Sequence, residues 1–254
     1  MSRPAMHPQT LQVPTDLVER VADAEFARLL GYPGQRIPQN RIGRRAAECR
    51  AWYEEHGRPL AVVRALRIDR IEEPGTSLSN GETFNSHLLA QRLRQADSAV
   101  IVVAAVSAGS AVDERSGALW LEGRLDEGYC LDRFGAAVAE QLATWTARSI
   151  RAGARDDGLA ALPGYSPGYD GWDLADQVTV ARCLLPDGAY PPPAPFAVLS
   201  SGMISPTNSL LTVFALTPNA RLADSMRRRH RCSWCALARC DLRRARFAGR
   251  DGAT

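Results

Sequence analysis

The longest regular signal in the sequence runs from Asp126 to about Ala152, where Leu131, Phe134, Val138, Leu142, Trp145 and Ile150 recur at intervals of three, four or five. That spacing predicts a long amphipathic helix. Its small residues, Gly135, Ala136, Ala137 and Ala139, would let another element approach closely.

Helical and extended patterns mix on either side of it. Residues 14–30 open on a Thr-Asp cap signal and place Leu17, Val18, Val21, Phe26 and Leu29 near helical spacing, which predicts an N-terminal helix ending before Gly31. A second helix is predicted over Arg44–His56, stopped by Gly57-Arg58-Pro59, and a strand over Leu60–Ile68. Phe84–Gln95 reads as helix, and Ser98–Ala105, SAVIVVAA, as a buried strand by its β-branched content. Asp173–Leu185 is a further helix capped by Asp173, and Pro191-Pro192-Pro193 is a stiff spacer that cannot lie inside one. Phe196–Ser200 and Ser209–Ala215 then predict two strands joined through residues 202–208 as an antiparallel pair. Elements mixed without regular βαβ alternation favour an α+β fold over a doubly wound parallel sheet.

Composition narrows the function classes. The 254 residues are 45% hydrophobic and 23% charged, with a net charge of +3, which gives no global electrostatic case for nucleic acid or membrane binding. All 31 basic residues are arginine, a bias carrying no function by itself. MSRPAMHPQT lacks the apolar stretch of a secretory signal, and nowhere do about 18 apolar residues run together, so a cytoplasmic protein without a membrane span is expected. No dinucleotide fingerprint, P-loop or zinc-protease helix motif is present. His7, His56, His87 and His230 are scattered with no serine elbow, which argues against a nucleophilic triad.

Two stretches carry chemistry. Gly164–Trp172, GYSPGYDGW, packs three glycines, a proline and three aromatics into nine residues. Such a loop is either a packed turn whose rings fill the core or a cradle whose backbone meets a ligand while Tyr165 or Tyr169 covers a ring system. The second stretch is Cys232, Cys235 and Cys240, a Cys-x2-Cys-x4-Cys spacing. Three thiolates within reach of one centre select zinc or an iron–sulfur cluster, with His230 available as a fourth ligand; alternatively they are small core residues. Arginines crowd the same basic, cysteine-rich tail, residues 222–254, but no aromatic platform beyond Trp234 accompanies them for nucleic acid.

Ser166-Pro167-Gly168-Tyr169, followed by Trp172, Leu174 and Gln177, resembles the S-adenosylmethionine-binding loop of the reactivation domain of cobalamin-dependent methionine synthase, and more closely the stand-alone proteins related to that domain. Three further stretches agree in the same order: Leu29-Leu30-Gly31-Tyr32 with Gly34; Leu131-Asp132 with Gly135, Ala136, Ala137 and Glu140; and Ser201–Ser209. The cysteine-rich end is also similar to a tail in that group. The resemblance covers most of residues 20–245 and implies one reactivation-type domain, residues 1–254, built as a curved antiparallel sheet with flanking helices.

It also implies a role. In the synthase the cobalt cofactor occasionally oxidises to cob(II)alamin, and the domain couples its uphill reduction to methyl transfer from S-adenosylmethionine, whose sulfonium leaving group drives the step. The protein then holds the methyl donor over the corrin and excludes water, and no acid–base residue is required. By that resemblance Tyr169 lies between donor and corrin, Ser166 and Gly168 offer backbone contacts, Pro167 stiffens the loop beside Tyr165, and Glu140 is matched by position on the long helix. The implied partners are a corrinoid or cobalamin-dependent methyltransferase protein, which carries the cobalamin, and a flavodoxin-type reductant. The chain lacks a cobalamin-binding Asp-x-His-x-x-Gly motif and has no room for substrate barrels of roughly 250 residues each, so it is expected to act as an accessory in methionine biosynthesis. One departure stands out. The family places an arginine five residues before the tyrosine, matched to the donor's carboxylate; here that position is Gly164, with Arg155 the candidate substitute.

Overall fold

The computed structural model describes residues 7–32, 36–185, 196–228 and 232. Its centre is the SAVIVVAA run. In chain order the first elements are β1 (Gln9–Thr10), α1 (Asp23–Leu29), α2 (Arg41–His56), β2 (Leu60–Glu72), β3 (Gly75–Leu78), β4 (Thr83–Asn85), α3 (His87–Gln95) and β5 (Val100–Ser107). They continue with α4 (Ser110–Leu121), α5 (Leu125–Asp156), β6 (Ala160–Ala161), a 3-10 turn at Leu174–Asp176, α6 (Gln177–Leu184), β7 (Ala197–Val198), β8 (Ile204–Ser205), β9 (Ser209–Thr217) and α7 (Ala220–Arg228).

One seven-stranded sheet runs β4-β3-β2-β5-β9-β6, with β1 added on β2, and every pair in it is antiparallel. It curls into a half-barrel flanked by helices, the α+β class that the sequence predicts. β5 lies at its middle, and its residues alternate between two cores. Ile101, Val103 and Ala105 meet Val62, Leu66, Leu211 and Val213 under α3 and α6. Val102 and Ala104 meet Phe214, Leu216, Ile150 and Ala154 under α5. A strand covered on both faces has no polar side to show, which is why its sequence is an unbroken apolar run.

The long helix is α5, 32 residues and therefore about 48 Å at 1.5 Å per residue. Its first half packs with α1 and α2 around Phe134, whose ring meets Phe26 at 5.0 Å and Tyr53 at 5.7 Å. The close neighbour anticipated from its small residues arrives at Gly135, where a Cβ would stand 2.7 Å from Val112 of α4 and 2.8 Å from the Asn208 amide. Among the described residues no helix is long and apolar enough to cross a membrane.

Local expectations need correction in four places. Residues 14–22 form successive turns, with Leu17 N–H donating to Pro14 and Val21 N–H to Val18, so the buried positions mimic helical spacing without a helix. Phe84 lies in β4 rather than α3 because its ring packs on Trp172, 5.5 Å away. Ala197–Val198 pairs with Ile204–Ser205, while Ser209–Thr217 pairs with β5. α4 was hidden because its apolar residues do not form one stripe: Val112 and Leu119 are buried while Trp120 and Leu121 are exposed.

Candidate functional site

The glycine-rich loop continues β6 along the sheet's outer edge. Residues 160, 161 and 162 oppose 217, 216 and 215 in register, yet Tyr165 opposes Val213, so one extra residue is accommodated at Pro163-Gly164. That is a β-bulge. Gly164 fits because it has no side chain: a Cβ would lie 2.3 Å from Thr212 Cγ2 and 2.9 Å from the Phe214 ring. The position where the resemblance expects an arginine is therefore filled from β9. Arg155, the candidate substitute, stands in the last turn of α5 and lines a cavity beside Ala160 and Ala161.

Beyond the bulge, Tyr165 exchanges both backbone hydrogen bonds with Val213, at 2.8 and 2.9 Å. Its side chain enters the core under α3 and α6, stacked on Trp172 at 5.4 Å, with the Arg92 guanidinium 4.4 Å above the ring. The Tyr165 hydroxyl donates to the Asp170 carbonyl. Trp172 Nε1 donates to Asp176 at 2.8 Å, and the same carboxylate oxygen accepts the Asn85 N–H at 2.6 Å. Ser86 Oγ closes the loop from α3 by donating to the Gly171 carbonyl at 2.7 Å. One aromatic half of the loop is thus a packed turn.

In the other half Ser166 and Pro167 are buried, while Gly168, Tyr169 and Asp170 are exposed. Because Tyr165 spends both backbone groups on β9, the alternation of an antiparallel pair turns the Ser166 N–H off the sheet edge, where it meets no acceptor among the described residues. Ser166 Oγ points inward to Thr212 Oγ1 at 3.1 Å. Pro167 follows with no N–H to offer. Gly168 N–H donates to the Trp172 carbonyl at 2.9 Å and Tyr169 N–H to Ser166 at 3.2 Å, closing a tight turn whose tip is Tyr169. The expected backbone contact from Gly168 is thus limited to its carbonyl, since its N–H serves the turn. Tyr169 is 45% exposed.

Leu174 lies across Gly168 and Gly202, so near that a Cβ at either would stand 3.1 Å from it. This joins the loop to the Ser201–Ser209 stretch, which Asp113 and Asp132 hold by accepting the Thr207 N–H at 2.6 Å and the Asn208 amide at 3.2 Å. Tyr169, Leu174 and Met203 are all exposed, as is Leu199, whose N–H donates to the Met203 carbonyl. Gln177, at the start of α6, has a buried side-chain carbonyl with no donor. Thr212, Arg92 and Phe84, which brace the loop, carry no local signal in the sequence, since each acts across at least 46 residues; Asp176 acts both locally on Trp172 and across 91 residues on Asn85.

Glu140 sits half-buried on α5, and its charge acts on Arg28 of α1. The Arg28 guanidinium is raised above its ordinary pKa first by hydrogen bonds to Glu25, 3.0 and 2.5 Å long, with Glu140 and Cys232 adding to the effect. Cys232 is half-buried beside that group; Cys235, Cys240 and the fourth candidate ligand His230 lie outside the described residues. Among the described residues no three His, Cys, Asp or Glu side chains converge as a metal site.

No family model matches the chain, and no curated protein does. Among solved structures, the crystal structure of the MetH reactivation domain bound to AdoHcy matches with a TM-score of 0.62, over 85% of this chain and 81% of that one, at 12% sequence identity. The likeness is one of fold.

Proposed function

We propose that this chain is a single reactivation-type unit that binds S-adenosylmethionine against the Tyr165–Tyr169 edge and assists reductive methylation of cobalamin carried by a separate corrinoid or methionine synthase protein. The observation that carries this reading is the divided loop: a buried aromatic half fixes the backbone while the Ser166 N–H is turned away from β9 and the Tyr169 ring is exposed, in a fold like that of a domain bound to AdoHcy. AdoHcy is what remains of S-adenosylmethionine once its methyl group has left.

The partner's cobalamin would supply the methyl acceptor once a flavodoxin-type reductant had provided one electron, and the sulfonium's bonding pair would stay on sulfur as the neutral thioether. The residues of this chain bind and orient. Ser166 N–H donates to a polar atom of the ligand, Tyr165 and Pro167 hold the edge rigid, and Gly168 lets the turn pass close to it. Tyr169, Leu174 and Met203 present a flat apolar face that a corrin ring would cover, excluding water from the transfer. Gly164 leaves the donor's carboxylate without the family's arginine, a contact worth ~1.5–3 kcal/mol, so affinity is reduced roughly ten-fold to a hundred-fold relative to a domain that has it. Glu140 would lie farther along α5 as a secondary contact.

In the tail, Cys232, Cys235 and Cys240 would hold zinc or an iron–sulfur cluster as a clip. Metal analysis of anaerobically purified protein tests this: stoichiometric zinc or a brown cluster supports the clip, and metal-free protein with three titratable tail thiols contradicts it. The function itself is tested by adding this chain, S-adenosylmethionine and an electron donor to an oxidised cobalamin-dependent methionine synthase whose own reactivation domain has been removed. Recovery of turnover that depends on all three additions supports the proposal; no recovery with corrinoid partners of this class contradicts it.

A further inference from the structure

The second half of α5 carries an arrangement of charge that the reactivation role does not use. Arg148, Arg151 and Arg155 stand at i, i+3 and i+7 on one flank of the helix, and with Arg227 of α7 they line a cavity of about 460 Å³ beside Ala160 and Ala161. Arg227 is fixed there, donating to the Ala161 carbonyl at 3.0 Å and pairing with Asp224. Asp224 is the one acidic residue in the cavity wall, and it is already engaged. No carboxylate among the described residues pairs with Arg148, Arg151 or Arg155.

The opposite end of the same helix shows that pairing is otherwise the rule. Arg41 meets Asp126 at 2.6 Å, Arg45 meets Glu127 at 3.0 Å, and Arg124 meets both Glu127 and Glu122. The helix macrodipole accounts for a cation at Arg155, in the last turn, but its effect fades within that turn and does not reach Arg148. Partial burial, and then the charges of Arg227, Arg148 and Arg155, lower the pKa of Arg151, so the group is held against its own repulsion. The first residue of α7, Ala220, is also in the wall, which adds the positive end of that helix to the field.

We propose that this cavity binds the di- or triphosphate group of a small-molecule ligand. Guanidinium forks match phosphate oxygens two at a time, and several unpaired forks around one concavity suit a compact polyanion better than a single carboxylate. Small-molecule sites commonly run to roughly 300–1,000 Å³, a range that includes this cavity. None of these arginines belongs to the Tyr165–Tyr169 loop, and Arg155, the candidate substitute for the family's arginine, lines this cavity.

Calorimetric titration of the full chain with sodium tripolyphosphate, against sodium sulfate at matched ionic strength, tests it. Tripolyphosphate should bind saturably at one equivalent with a dissociation constant on the order of tens of micromolar, and sulfate at least about ten-fold more weakly. Arg151→Gln with Arg155→Gln should weaken tripolyphosphate binding by at least about ten-fold, since each removes charge-assisted hydrogen bonds. The same double variant should melt no lower than the parent without ligand, because two mutually repelling cations are gone; this separates loss of the site from loss of the fold. Arg41→Gln, at the far end of α5, should leave the affinity unchanged. Equal affinity for sulfate and tripolyphosphate would reduce the site to counterion screening and overturn the proposal, as would binding that survives the double substitution. A single-stranded oligonucleotide that displaces tripolyphosphate and binds more tightly through the same arginines would overturn it in favour of a nucleic-acid backbone.

Discussion

Tyr165 and Tyr169 stand four residues apart in one loop. Tyr165 is 5% exposed, stacked on Trp172 and covered by Arg92, with its backbone bonded to β9 on both sides. Tyr169 is 45% exposed at the tip of a turn. Aromatic rings are costly to leave in water, at about 25 cal/mol per Å² of apolar area. A chain that buries one ring of the pair and extends the other has separated anchoring from presentation, and the rigid half is what holds the presented half in position. Sites work best when their first contacts are fixed by a packed supporting shell.

Substitutions should divide along the same line. The largest effect is expected at Trp172→Ala, which removes the ring between Tyr165 and Phe84 and one of the two donors to the Asp176 carboxylate: a loss of about 3–5 kcal/mol in stability, read by denaturant unfolding, with ligand binding lost alongside. If Trp172→Ala folds normally and still binds, the anchoring half is not an anchor. Next is Gly164→Arg, which restores the family's residue in name. With Thr212 and Phe214 occupying its space, it should cost about 1–3 kcal/mol and weaken S-adenosylmethionine binding; tighter binding would mean that the bulge yields and the carboxylate contact forms. Tyr169→Ala should change stability by no more than about 0.5 kcal/mol yet reduce partner reactivation by roughly ten-fold or more, which kinetics with the cobalamin partner would show. Unchanged reactivation would move the chemistry away from this tip. The smallest effect belongs to Ser166→Ala, which removes the hydroxyl bond to Thr212 for about 1 kcal/mol but keeps the outward N–H, so ligand affinity should stay within about threefold of the parent.

The sequence makes some of this legible and hides the rest for physical reasons. SAVIVVAA reads directly as a doubly covered strand, and the period of α5 survives because one continuous flank packs on α1, α2 and the sheet. GYSPGYDGW announces an unusual loop, and its resemblance pointed to the fold that the structural comparison bears out. Which tyrosine is buried was not legible, because that depends on a bulge at Pro163-Gly164 set by register with Thr212 and Val213, about fifty residues on. β3 and β4, of four and three residues, are too short to show a period, and the turns over residues 14–22 bury Leu17, Val18 and Val21 at helical intervals through turns closed mainly by i→i−3 hydrogen bonds. Asp176 is ambiguous from sequence alone, since an acid beside a helix start reads as a cap; here it serves Trp172 and Asn85 instead.

The central claim is that the outward edge at Ser166–Tyr169 takes the methyl donor although Gly164 offers no arginine. Calorimetric titration of the folded full chain with S-adenosylmethionine tests it most directly. Saturable heat at one equivalent, in the micromolar to millimolar range and weakened by Tyr169→Ala, is the predicted result; no heat at millimolar ligand with the protein folded would contradict it.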